Sequence, residues 1–132
     1  MKERLADLSE ILFRQIHPHF IQDGQICSPA FCPTPKDNNL LSVDRGSLTT
    51  AQAARHLFVT NGGKSDAVYA LSVEEFEQER LACHSDPIEE SDGVVENLSH
   101  AVADFSVCSA QEQKKKAKRL KLKAIARGPQ PF

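Results

Sequence analysis

AVYALSV, residues 67–73, is the stretch on which the fold turns. It joins β-branched Val68 and Val73 to aromatic Tyr69 in one continuous apolar run. Such a run reads as a strand covered on both faces and predicts an interior position in a sheet. Gly62 and Gly63 form the turn before it, and Ser72 with Glu75 makes a capping box after it, opening a helix over EEFEQERL (74–81).

Working outward, ILFRQI (11–16) is a second strand, preceded by a helical turn or two over residues 3–10 and ended by Pro18, which disfavours helix at His17. The Pro-rich stretch 22–39 reads as an ordered, irregular loop whose Ile26, Ala30 and Phe31 pack on the body. Leu40–Asp44 is a strand, and Thr49 or Thr50 caps a short helix, AQAARHLF (51–58), with its alanines and Leu57 on the buried face. LACHSD (81–86) is a short strand, DPIEESDGVVEN (86–97) an acidic, turn-rich and exposed segment, and HAVADFSVC (100–108) a further strand. Ser109 and Glu112 form a second capping box that starts a final helix stopped by Gly128 and Pro129. Strands and helices alternate without regular βαβ repetition, which predicts an α+β fold: a small mixed sheet of four or five strands, two or three helices, and a C-terminal basic helix.

The 132 residues suit one domain, with a core over about 11–108 and the basic helix over about 109–127. An apolar share of 40% and a charged share of 26% describe a soluble globular chain. MKERLADLSE lacks the apolar centre of a signal peptide, and the sequence has no apolar run of membrane-spanning length. The expected location is the cytoplasm, with Cys27, Cys32, Cys83 and Cys108 reduced. Those thiols and His84 are zinc-type ligands, but their spacing forms no metal motif, and neither a metal nor another cofactor is expected.

On a strand, Arg14 lies between Leu12 and Ile16 on one face, so its guanidinium needs an anionic partner; Asp104 or a bound phosphate are the candidates. His17 and His19 flank Pro18 and are suited to proton transfer near neutrality. Arg14, His17 and Ser42 are therefore the candidate catalytic residues of a small nucleotide- or RNA-directed enzyme, ribonuclease-like or ADP-ribosyltransferase-like. In the second case Glu90 or Glu96 would stabilise the cationic sugar, on fold-level analogy alone.

The elements Arg14-x-Ile16-His17-Pro18, Ser28-x-Ala30-Phe31, Leu41-Ser42-Val43-Asp44, Ser85-Asp86-Pro87 and His100-Ala101 span most of residues 11–101. This series resembles a set of small uncharacterised bacterial proteins. The resemblance implies a shared bacterial fold and carries no activity across. The acidic insert before His100 departs from that set's shorter spacing.

Charge is unevenly divided. Residues 1–110 hold 8 Lys/Arg against 17 Asp/Glu, while residues 111–132 hold 8 against 1. On the final helix Lys115, Arg119, Lys123 and Arg127 recur every fourth residue with Lys116 beside them, opposite an apolar strip of Ala117, Leu120, Ala124 and Ile125. The leading expectation is a macromolecule-binding protein whose basic helix contacts an acidic protein or a nucleic acid, with no membrane role. Two alternatives stay open: a solvated face, and pairing with the chain's own residues 74–96, where nine carboxylates stand against the single Arg80. The sequence carries no signal for oligomeric state.

Overall fold

Caps and turn residues fix most element boundaries. In the computed structural model, which describes residues 2–132, the chain runs β1 (Ile11–Ile16), β2 (Ile21–Gln22), β3 (Gln25–Ile26), β4 (Leu40–Arg45), α1 (Ala51–Thr60), β5 (Ala67–Ser72), α2 (Val73–Gln78), β6 (Cys83–Ser85), β7 (His100–Asp104) and α3 (Ala110–Arg127). Thr50 accepts from the Ala53 N–H to begin α1, and the reciprocal boxes Ser72/Glu75 and Ser109/Glu112 begin α2 and α3. Gly128, at φ 92°, ends α3 in a conformation costly for any residue with a Cβ.

The main sheet has the order β5-β1-β4-β7-β6, and β2 and β3 form a separate hairpin. The expected α+β architecture is present, but every pairing is antiparallel rather than mixed. Strands β4 and β5 run the same way through α1, yet β1 lies between them and pairs antiparallel with both, so no parallel ladder forms.

The 67–73 run is an edge strand, not an interior one. It is apolar because both faces are covered. Tyr69 and Leu71 join the main core on one side, while Val68 and Ala70 are buried on the side that carries α1, along with Ala51 and Ala54. The open edge is closed by the C-terminal tail, where the Gln130 N–H donates to the Val68 carbonyl at 2.8 Å.

Residues 3–10 are not helical: the segment around Arg4 lies along β6, and Leu8–Ser9 form a turn in which the Glu10 N–H donates to the Asp7 carbonyl. The Leu5 N–H donates to the Cys83 carbonyl, the Ser85 N–H to the Glu3 carbonyl, and Arg4 bridges His84, so the segment continues the sheet beside β6. That edge supplies backbone partners and buries Leu5, which an isolated helical turn would not. Within the 22–39 stretch, Asp23 and Gly24 both have positive φ and close the β2–β3 hairpin, and the turn Ser28–Phe31 packs Ala30 and Phe31 into the core.

That core joins the inner sheet face (Leu12, Ile16, Leu41, Val43) to Ala117, Leu120 and Ala124 of α3. Leu120 is completely buried. Its replacement by alanine is expected to cost about 3 kcal/mol, seen as a lower urea midpoint with an unchanged slope.

Candidate active site

Strand alternation turns Leu41 and Val43 inward and leaves Ser42 and Asp44 on the outer face of β4; on β1 the outer residues are Phe13 and Gln15. Against β5, β1 keeps its register from Ile11 to Ile16, whereas against β4 it pairs at Leu12–Arg45 and Phe13–Asp44. Past Phe13 the Arg14 side chain bridges the two strands. Its Nη1 donates to the Ser42 carbonyl at 3.0 Å and its Nε to the Ala30 carbonyl at 2.8 Å, satisfying two main-chain acceptors. Loss of hydration pushes the Arg14 pKa down to about 10, with Asp37 and Asp44 acting in the opposite direction, so the group stays cationic at neutrality. Asp104, the partner expected from the sequence, accepts from the Ser106 N–H instead.

The β4–β7 register pairs Asp44 with His100 and Ser42 with Val102, which makes Ser42 and His100 diagonal neighbours on the outer face. Ser42 Oγ lies 3.1 Å from His100 Nε2. On the other side of the ring, Nδ1 lies 2.8 Å from the Asp86 carbonyl oxygen and 3.3 Å from Asp86 Oδ2. Both of those atoms are acceptors, so Nδ1 carries the ring proton. In the neutral ring Nε2 is then the acceptor and the Ser42 hydroxyl donates to it. This is the polarity of a nucleophile, base and orienting-acceptor relay. Asp86 is held in place by its own N–H, which donates to the His100 carbonyl at 2.9 Å.

Gln15, on the outer face of β1, lines the same cavity as Ser42. The Gln15 Oε1 accepts from Ser65 Oγ at 2.7 Å, while its Nε2 is buried without a partner. A buried donor left unpaired costs about 1–3 kcal/mol.

Arg14, Gln15, Ser42 and His100 line a cavity of about 450 Å³, within the range of small-molecule sites. Its apolar walls are Phe13, Leu57 and Phe58 on one side and Ile88 and Val94 on the other. The second wall belongs to the acidic segment, which is folded back on itself through bridges Ile88–Asn97 and Ser91–Val94. Asn61, at the end of α1, clasps that segment by accepting from the Val95 N–H at 2.9 Å and donating to its carbonyl at 3.1 Å. Asn97 and Ser99 both donate to Asp44 Oδ1 and tie the far end to β4.

Of the residues singled out in the sequence, Arg14 and Ser42 meet at this cavity and His17 does not. His17 lines a neighbouring opening, where its Nδ1 accepts from the His19 N–H. The imidazole that meets Ser42 is His100, with Asp86 on the far side of its ring. Glu90 and Glu96 are exposed, and the cavity takes its lining from other residues of their segment. Burial pushes the Cys83 thiol up to about 12, and among the described residues no three His, Cys, Asp or Glu side chains assemble around a common point.

The basic helix lies against α2 and the residue after it, within the chain's own 74–96 stretch. Lys116 Nζ donates to the Glu79 carbonyl, Arg119 Nε to Glu79 Oε1 at 2.7 Å, Lys123 Nζ to Gln78 Oε1 at 3.0 Å and Arg127 Nη2 to Glu75 Oε1 at 2.6 Å. Burying Ala117, Leu120 and Ala124 turns this flank of α3 onto α2. The expectation that the whole stripe faces a partner is therefore corrected: four of its five cations are engaged internally, and Lys115 is exposed. Because these ion pairs are partly exposed, Arg119→Gln, Lys123→Gln and Arg127→Gln are each expected to lower stability by about 0.5 kcal/mol. Urea titration at about 1 M NaCl should remove most of that difference.

The class of molecule is thus an α+β protein whose antiparallel sheet brings Ser42 and His100, with Asp86 behind the imidazole, to the wall of a small cavity. Among the described residues no helix is long and apolar enough to cross a membrane. Set against protein-family models, curated proteins and solved structures, the chain matches none of them.

Proposed function

We propose that the protein is a serine-dependent hydrolase of a small carboxylic ester. Ser42 is the nucleophile, His100 the general base and then acid, and Asp86 the group that fixes the ring. The observation that carries this reading is the 3.1 Å contact between Ser42 Oγ and His100 Nε2 while Nδ1 faces the acceptors of Asp86. In the first half-reaction the Oγ proton passes to Nε2 as the Oγ–carbon bond forms. Collapse of the tetrahedral adduct breaks the ester C–O bond, and the proton on Nε2 leaves with the alkoxide. Water then attacks the acyl carbon, gives its proton to Nε2, and the proton returns to Oγ as the acid is released. Gln15 and Arg14 line the same cavity as Ser42.

This reading narrows the alternative of a nucleotide- or RNA-directed enzyme. Walls of Phe13, Leu57, Phe58 and Ile88 favour a small molecule with an apolar part over a polynucleotide. Treating the native protein with a fluorophosphonate ester should phosphonylate Ser42, identified by intact mass and peptide mapping, and the protein should turn over 4-nitrophenyl acetate. Absence of both Ser42 labelling and turnover would reject the hydrolase reading.

A second reading keeps the basic helix as a contact for an acidic protein or a nucleic acid. It is supported by the outward Lys114, Lys115 and Lys118 together with Leu122 and Ile125, which are 65% and 47% exposed. Salt-sensitive binding of a labelled DNA duplex or a polyglutamate peptide, weakened in K114Q/K115Q/K118Q, is its expected result. No binding of either at low salt eliminates it.

A further inference from the structure

We infer that the substrate carries an anionic group, carboxylate or phosphate, that seats beside the ester pocket against Lys64, His17 and His19. This assignment rests on the hydrolase reading above. The opening that holds these three side chains shares Phe58, Gly62 and Gly63 with the cavity of Ser42, so the two adjoin at this turn. The two chambers differ in chemistry. The Ser42 cavity has apolar walls, whereas the lining of the second opening includes an ammonium and two imidazoles and no carboxylate among the described residues.

Lysine supplies only donors, which fits an oxygen-rich anion. Lys64 is exposed, and the ion pairs among the described residues do not include it. The imidazoles of His17 and His19 lie 4.8 Å apart between centroids, and since Nδ1 of His17 accepts from the His19 N–H, its Nε2 is the ring nitrogen left for a ligand. Phe58 lines both openings. A Cβ on Gly63 would lie 2.4 Å from the Phe58 ring, so glycine at this position lets the ring rest against the turn.

The test uses three aryl esters: neutral 4-nitrophenyl acetate, mono-4-nitrophenyl succinate with its anion on the acyl side, and 4-acetoxybenzoate with its anion on the leaving phenol. Each is compared between the native protein and K64Q, so that intrinsic ester reactivity cancels. Lys64 stands outside the relay and turnover of the neutral ester should be unchanged. For one of the anionic esters kcat/KM should fall about fivefold, the scale of one exposed charge pair, and which ester falls identifies the part of the substrate that bears the charge.

A second arm does not depend on turnover. Phenyl phosphate is titrated into the S42A protein while the His17 and His19 ring signals are followed by NMR; shifts are expected there and should be lost in S42A/K64Q. Equal native-to-K64Q ratios for all three esters, with no imidazole shift, overturn the anion subsite and leave the hydrolase standing. Imidazole shifts in a protein that hydrolyses none of the esters overturn the hydrolase and its substrate assignment, leaving an anion-binding site.

Discussion

Ser42→Ala is expected to lower kcat/KM toward 4-nitrophenyl acetate by about 10³-fold, because it removes the only atom of the relay able to form the acyl intermediate. His100→Gln should cost about as much, and the double variant no more than either alone, since nucleophile and base act as one unit. Asp86→Asn should behave differently. The His100 Nδ1 proton faces the Asp86 backbone carbonyl at 2.8 Å as well as the carboxylate at 3.3 Å, and the carbonyl survives the substitution. The tautomer is thereby kept and only the stabilisation of the imidazolium weakens, so a loss of about tenfold is expected. A loss in Asp86→Asn equal to that in His100→Gln would show that the carboxylate, not the carbonyl, orients the ring. Ser42 is exposed on the sheet face, so its truncation should leave the urea midpoint nearly unchanged. A large midpoint shift would mean that the contact with His100 is structural.

The elements of this fold were legible wherever local chemistry determines them. The Ser72/Glu75 and Ser109/Glu112 boxes mark two helix starts in the sequence and in the structure because capping is satisfied within four residues. The position of β5 was not legible. A continuous apolar run reports cover on both faces, and an edge strand closed by a distant segment such as Gln130 satisfies that as well as an interior strand does. The Asp23-Gly24 pair was an available hairpin signal, but β2 and β3 are each two residues long, too short for an alternating pattern to show. At the site, Ser42 and Arg14 could be singled out by residue type. Asp86 and His100 stand at opposite ends of the acidic insert and meet only through the β6–β7 register, which pairs Ser85 with Ala101. Their presence in the elements Ser85-Asp86-Pro87 and His100-Ala101 was the one available hint. For the basic helix the stripe and the acidic segment were both readable, while the choice between self-pairing and display depended on which face of α3 is buried.

Glu10→Gln is expected to cost about 2 kcal/mol at pH 7, a fall in Tm of roughly 6–8 °C for a domain of this size. The Glu10 side chain is 4% exposed and meets Arg45 twice, Oε2 with Nε and Oε1 with Nη2, each at 3.0 Å, while Ser47 Oγ donates to Oε2. This cluster ties the residue before β1 to the turn after β4, at the paired end of the two strands whose other end opens into the Ser42 cavity. Burial by itself pushes the Glu10 pKa up, but the Arg45 and Ser47 contacts outweigh it and hold the pKa below its ordinary value. A carboxylate with a depressed folded pKa contributes its full stabilisation above the unfolded value of about 4.3 and loses it as pH falls through the folded value. Glutamine does not titrate. The stability difference between native protein and variant should therefore hold from pH 7 down to about 5 and shrink on further acidification, followed by urea denaturation at each pH. A difference that stays constant down to pH 3 would show that the shape of the Glu10 side chain, and not its charge, holds β1 against β4.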